Sequence, residues 1–360
     1  MIRAGLVGFG MASKVFHGPT ISAVEGLELA AVVERSSRNA EERYPGIATY
    51  ADLESMLADE TLELIVIATP NTSHAPLAHQ ALSAGRHVVV DKPMAITSAE
   101  IAALIDHARE MGRLLIPYHN RRWDNGFRTL KNVLHEQKLG RVVSFESTFD
   151  RWRPALKQNA WREKDMPGSG ILLDLGTHLV DEALQLFGLP QAVSADVVCE
   201  RDGAEANDSF TVRLRYPGTN SGMMATLSGN CLAAVSRPHY TVRGTKGNYI
   251  KHGLDPQEAK LKATGRVEGK DWGVEPPSAW GTLVTEVDGD MVTQPIEPIP
   301  GDYRLFYAGV RDAIQGKAAP PVAAIDAWCA ARVLEGAVES AAEHREIPLD
   351  WFNPPRTTAG

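Results

Sequence analysis

Short, almost continuous apolar runs open the chain, and segments with helical spacing separate them. "IRAGLVGFG" precedes 12–24, "LELAAVVE" precedes 37–44, "IATY" precedes 51–58, "LELIVIATP" precedes 73–84 and "HVVVDKP" precedes 98–110, with "RLLIPYH" closing the series near Tyr118. A strand with one wet face alternates apolar and polar side chains. Runs that stay apolar at every position are covered on both faces, the condition of a parallel sheet between helices. Repeated strand-then-helix order therefore predicts an α/β, doubly wound first domain over residues 1–120. After Tyr118 the pattern changes: "SADVVCE", "DSFTVRLRYP", "SGMMATLSG" and "HYTVRGTKGNYIKHG" do alternate, with "GTKG" as a hairpin turn. These predict an α+β second domain over 121–350 with a large, mostly antiparallel open sheet, a strand at 141–150 and helices near 123–137, 171–187, 303–315 and 324–344. Residues 253–300 are rich in Pro, Gly and charge and read as loops with one short strand at 282–287; "NPPRTTAG" reads as a loose tail.

A length of 360 residues agrees with about two domains. With 44% hydrophobic and 23% charged residues the chain has the composition of an ordinary globular protein. A formal net charge of −8 and the absence of any basic run argue against nucleic-acid binding and point to a small-molecule partner. Three widely spaced cysteines, Cys199, Cys231 and Cys329, make neither a disulfide framework nor a zinc motif, which fits a reducing cytoplasm. No export signal is expected at the opening "MIRAGLVGFG", and no apolar run approaches membrane-spanning length.

Gly8-Phe9-Gly10-Met11-Ala12-Ser13 follows the first strand and opens a helix, a variant of the dinucleotide fingerprint with Ser13 in place of the third glycine. The first glycine permits the tight turn, and the second lets backbone amides approach a pyrophosphate at the helix start. Glu34 ends the second strand where a carboxylate would accept bonds from ribose hydroxyls. The adjoining Arg35, with Ser36 and Ser37, could instead hold a 2'-phosphate or simply lie in solvent, so NAD is expected and NADP stays open. "ATPNTSH", with Thr69, Pro70, Asn71 and His74, and "VVVDKP", with Asp91 and Lys92, fall at carboxyl ends of strands, where open α/β sheets bind ligands. Asn71 could equally start a helix and Asp91 form a turn; Lys92 places an ammonium at the ligand edge or is merely solvated.

On a helical wheel for 171–187, Asp174, His178, Asp181, Glu182 and Gln185 share one stripe about 100° wide. A solvated polar face is the bland reading, on which the Asp174–His178 pair contributes only about 0.2–0.5 kcal/mol. The unusually wide apolar remainder and the "MPGSG" entry suggest instead a stripe facing a groove. There His178 would act as a general acid/base, oriented by Asp174 and with a pKa that the carboxylate raises. Asp181 and Gln185 keep the solvated reading.

"GLVGFGMAS", "ATPNTSH", "VVVDKP", "HNRRWD", "WR" at Trp161-Arg162, "GSGILLDLGTH" and "GTKG" resemble, in this order and over nearly the whole chain, the Gfo/Idh/MocA oxidoreductases, named for glucose-fructose oxidoreductase and inositol dehydrogenase. "VFHGP", "HNRRWD" and "DRWRP" are most similar to the bacterial scyllo-inositol dehydrogenase-type subgroup. The resemblance implies a Rossmann domain followed by an α/β domain whose open sheet packs on another subunit, hence a homodimer or homotetramer. It implies that Phe9, Met11 and Ala12 belong to the cofactor loop and that Lys92 stands between nicotinamide and substrate, faced by Asp174 and His178. It also places Trp161 and Arg162 at the nicotinamide end and His119 and Asn120 near the substrate; Arg121 and Arg122 could as well be interdomain ion pairs, and packing at the first helix is the safer reading of His17. Family members usually carry Glu before the lysine where this chain has Asp91.

Together these features predict an NAD(P)-dependent dehydrogenase acting on a CH–OH group of a polyol, inositol or sugar. His178 takes the proton and Lys92 bonds the reacting oxygen. His119, Asn120, Asp150, Trp152 and Arg153 are candidates for binding the substrate's other hydroxyls. The eleven histidines show no HxH or HExxH spacing, so no metal is expected. Two alternatives remain: a dinucleotide-binding regulator without turnover, against which the retention of Lys92, Asp174 and His178 argues, and a glycoside-cleaving member that recycles NAD.

Overall fold

The computed structural model describes residues 1–35, 39–158, 160–217, 222–269, 271–351 and 354–355. Six parallel strands, β1 (Ile2–Val7), β2 (Leu27–Val33), β3 (Ala48–Tyr50), β4 (Leu64–Ile67), β5 (His87–Val90) and β6 (Leu115–Pro117), form one sheet in the order β3-β2-β1-β4-β5-β6. All four residues of β4 are buried, as helices on both faces require. On one face pack the helices His74–Ser83 and Ser98–Glu110, the latter opened by a Thr97–Glu100 capping box. On the other face the sheet meets Ile21, Val24 and Tyr118. Chain order reverses between β1 and β4, so the loops leaving their carboxyl ends diverge and open a crevice there.

The second sheet has nine strands: β7 (Val142–Asp150), β8 (Ala192–Val198), β9 (Ser209–Tyr216), β10 (Met223–Asn230), β11 (Tyr240–Gly244), β12 (Gly247–Lys251), β13 (Gly281–Val287), β14 (Asp290–Ile296) and β15 (Ile347–Pro348). The order is β14-β13-β12-β11-β7-β10-β9-β8-β15, antiparallel except where β10 runs alongside β7. One face carries the core, Phe145, Phe210, Val212, Leu227 and Val242 against Leu175, Leu179 and Ala183. β14, at the sheet edge, is exposed along most of its length.

Two late helices tie the domains together. Arg304–Ile314 lies in the second half of the chain, yet its Phe306, Tyr307 and Val310 join the first domain's core. Ala324–Glu343 gives Ala327, Trp328 and Ala331 to the first domain and Val333, Leu334 and Ala337 to the second. A helix also forms at Gln257–Thr264, within the region expected to be loops. Among the described residues no helix is long and apolar enough to cross a membrane, and the three cysteines are unpaired.

Candidate active site

The glycine loop is shaped by contacts as well as by residue type. Gly8 has φ +88°, and a Cβ there would stand 3.0 Å from Ala68 O, so the loop from β4 closes directly over it. At Gly10 a Cβ would meet nothing within 4 Å: the backbone is open toward the crevice. Ser13, where the fingerprint expects a third small residue, is fully buried and donates its hydroxyl to Gly8 O at 2.6 Å. The helix begins with a π segment, Ser13–His17, before Gly18–Ser22. The crevice encloses about 510 Å³ and is lined by Gly8, Phe9, Gly10, Glu34, Thr69 and Pro70, with Arg35 at its edge. That volume, with an open second glycine and a backbone that turns into a helix start, fits a dinucleotide. Met11, 57% exposed, and Ala12 complete the loop.

Glu34 has a second task. Its carboxylate accepts from Ala40 N and Asn39 Nδ2, both at 3.0 Å, and so holds the start of the helix Asn39–Arg43 while lining the crevice. Ser36 and Ser37 lie outside the described residues.

The loops after β4 and β5 are clamped to each other. His74, expected at the cofactor, is buried, and its two ring nitrogens lie 2.8 Å from Pro93 O and 2.9 Å from Thr69 O. One ring nitrogen thus holds the lysine loop and the other the loop after β4, a clamp that local sequence does not reveal. Asn71, likewise buried, donates to Gly168 O at 2.8 Å and ties this edge to the second domain. Asp91 accepts from Lys92 N at 2.8 Å, and its carboxylate lies 3.9 Å from His17 Nε2. His17 is fully buried against Tyr118 and Tyr307, its Nδ1 2.6 Å from the Tyr307 hydroxyl.

From this clamped loop Lys92 crosses the domain boundary. Its Nζ donates to Asp174 Oδ1 at 2.8 Å and to Asp174 O at 2.6 Å. Asp174 also faces Arg151 Nη1 at 3.4 Å and Arg162 Nε at 3.7 Å, and Arg162 stacks over the Trp161 ring. Burial would raise the Asp174 pKa, but Lys92, Arg151 and Arg162 outweigh it and hold the carboxyl well below its usual range. The helix expected over 171–187 is a π segment, Leu172–Gly176, followed by the α-helix Thr177–Phe187. The wider winding breaks the wheel on which Asp174 and His178 were paired. The expectation that Asp174 orients His178 and raises its pKa is corrected accordingly: the carboxylate orients Lys92. His178 is buried, its Nδ1 has no hydrogen-bond partner among the described residues, and its pKa lies well below 6.5. Burial is the main cause, with the charges of Lys92, Arg121 and Arg151 adding to it. A neutral imidazole with a spare nitrogen is a group able to receive a proton.

The rest of the polar stripe is not solvated. Asp181 accepts two bonds from Arg122, at 2.6 and 2.8 Å, and Arg122 also meets Asp326 at 2.9 Å, an ion triad that ties the Asn120–Trp123 turn to the helices Thr177–Phe187 and Ala324–Glu343. Asp181 is 2% exposed and Glu182 1%; Gln185 is half-buried. His119 Nδ1 lies 3.8 Å from Asp181, and Asn120 is buried beside it in chain order. Arg121 pairs with Asp124 and Glu258 and covers Phe149. Of the further substrate candidates, Asp150 is engaged by Arg237 at 2.7 Å, and Trp152 is 59% exposed. Arg151, which sequence reasoning passed over between those two, is the residue that reaches Asp174; the basic "RWR" triplet at 151–153 was its only signal.

Comparison with known proteins bears on this geometry. Residues 2–119 match the family model described as "Oxidoreductase family, NAD-binding Rossmann fold", and residues 131–349 the one described as "Oxidoreductase family, C-terminal alpha/beta domain". The chain is 42% identical over 345 residues to the Escherichia coli oxidoreductase YdgJ, covering 96% of this chain and 97% of the relative. It is 34% identical over 349 residues to the Bacillus subtilis scyllo-inositol 2-dehydrogenase (NADP(+)) IolW, covering 97% and 96%. Among solved structures, an oxidoreductase from Yersinia pestis superposes with a TM-score of 0.91 at 43% identity, covering 98% of each chain.

Proposed function

The chain belongs to the Gfo/Idh/MocA oxidoreductase family, and from that footing we propose that it oxidises a secondary alcohol of a polyol, inositol or sugar to the ketone, and catalyses the reverse. When bound, the nicotinamide dinucleotide supplies the hydride acceptor. The observation that carries the reading is the junction at Lys92: an ammonium from the ligand edge of the first domain, anchored by an aspartate of the second, beside a buried neutral histidine. The protein's own residues divide the work. Gly8 to Ala12, with Thr69 and Pro70, shape the crevice for the dinucleotide, and Glu34 faces its ribose end. Trp161 and Arg162 stand at the nicotinamide end, where Arg162 reaches Asp174. Lys92 Nζ donates to the substrate hydroxyl oxygen and stabilises the negative charge that grows there as the proton leaves. His178 receives that proton. Burial and its cationic neighbours favour the neutral imidazole beforehand, and Asp174 keeps Lys92 aimed. His119 and Asn120 stand near the substrate's ring hydroxyls. The second domain's open sheet, with the exposed edge strand β14, supports assembly as a homodimer or homotetramer.

A screen of inositols and aldoses against NAD and NADP, followed at 340 nm, tests the reading. Stoichiometric reduced cofactor with at least one polyol is expected. Tight dinucleotide binding with no reduction across the panel, extended to sugar acids and polyol phosphates, would make the chain a sensor instead.

A further inference from the structure

The recess on the far side of Asp174 holds more positive charge than its neighbours balance. It encloses about 160 Å³ and is lined by Arg151, Arg153, Lys157, Arg162 and Arg201 against two carboxylates, Glu163 and Asp174. Both carboxylates are committed. Glu163 meets Arg201 at 2.6 Å, and Arg201 is further held by Asp208 at 2.7 Å. Asp174 is shared among Lys92, Arg151 and Arg162. Among the described residues Arg153 and Lys157 have no carboxylate partner. In a chain of net charge −8 such a concentration is a local feature. With Ile171 and Cys231 as low-dielectric walls it focuses a positive potential onto one small space.

The dinucleotide's phosphates do not account for this charge, because the crevice at the glycine loop and this recess share no lining residue. Whole small-molecule sites enclose roughly 300–1,000 Å³, so a recess of about 160 Å³ suits one substituent of a larger ligand. Guanidinium forks match carboxylate and phosphate oxygens. Asp174 lines the recess and also binds Lys92, so a group held there belongs to the molecule whose hydroxyl reaches Lys92. We propose that the recess is a subsite for an anionic substituent, a carboxylate or a phosphate monoester, and hence that the substrate is a sugar acid or a polyol phosphate in place of a neutral ring. This rests on the dehydrogenase reading above.

The test pairs neutral and anionic probes on the full chain saturated with cofactor: glucose with glucuronate and glucose 6-phosphate, and myo-inositol with its monophosphate. Binding is read by calorimetry and oxidation at 340 nm. At least one anion should bind about tenfold or more tightly than its neutral partner. The preference should weaken as salt is raised and collapse in R153Q/K157Q; which anion wins distinguishes carboxylate from phosphate. Both residues are exposed, and melting curves of the single and double variants verify the fold. Equal or absent affinity for the anions, or a preference that survives the double variant, overturns the subsite. Neutral polyols oxidised without anion preference overturn the subsite and leave the dehydrogenase intact. Anion binding abolished by R153Q/K157Q with no reduction of cofactor supports the subsite and removes the dehydrogenase.

Discussion

The helix after β1 and the second-domain helix that carries Asp174 both begin with a π segment, Ser13–His17 in one and Leu172–Gly176 in the other. In the first, the side chains turn inward: Ser13 and His17 are fully buried, and the glycine loop before them, open at Gly10, presents backbone to the crevice. In the second, the turn delivers a side chain, and Asp174 projects onto Lys92 and two arginines. One end of the cleft therefore relies on a backbone turn beside side chains such as Glu34 and Thr69, and its main-chain groups do not depend on residue identity so long as the turn survives. The other is built from interdependent charges in a low-dielectric setting, where each group sets the state of the next. π turns recur at functional sites because the extra residue per turn re-aims the side chains on the succeeding turn; here the same device serves two kinds of recognition.

Substitutions should separate the two ends. The largest effect is expected at the charged end: Lys92→Ala and His178→Ala should each cut turnover by about 10²–10⁴-fold with dinucleotide affinity and melting temperature preserved. Near-normal turnover in either would remove that residue from the chemistry. Next, Arg122→Ala strips the ion triad and leaves Asp181 buried and unpaired, a loss of about 3–5 kcal/mol in chemical denaturation. A change under about 1 kcal/mol would mean that water satisfies Asp181. At the backbone end the two glycines should part company. Gly8→Ala meets a left-handed φ and the Ala68 carbonyl and should cost about 1–2 kcal/mol, while Gly10→Ala should leave stability within about 0.5 kcal/mol yet weaken dinucleotide binding. Equal behaviour of the pair would contradict the division. The smallest effect on catalysis is expected for Glu34→Ala: a move toward NADP in the ratio of kcat/KM values, beside about 0.5–2 kcal/mol of stability lost because Ala40 and Asn39 lose their acceptor.

Legibility in the sequence depends on the range of the forces involved. β4 was readable because full burial leaves an unbroken apolar run, β1 and β5 because all but one of their positions are buried, and the glycine loop because its demands fall within six residues. The helix Gln257–Thr264 escaped notice because it buries only Gln257 and Leu261 and so has almost no apolar stripe. Asp181 read as solvated because its partner Arg122, and the Asp326 that shares that guanidinium, are distant in sequence and come from other elements. The Asp174–His178 pairing failed for a local reason: a wheel drawn at a constant 100° per residue cannot anticipate a π segment. The return of Phe306 and Tyr307 to the first domain's core carries no local signature, since an apolar helix face does not name the surface it will cover.

The central claim, that a buried neutral His178 receives the proton beside a Lys92 held by Asp174, is tested most directly by the pH dependence of kcat/KM for alcohol oxidation. A base must be unprotonated to act, so the rate should fall as pH drops through its pKa. Burial and the cations around His178 place that pKa below 6.5. The acid limb should therefore lie below pH 6.5 in the wild type and be absent from the residual activity of His178→Asn. A limb that persists at the same position in His178→Asn would contradict the assignment.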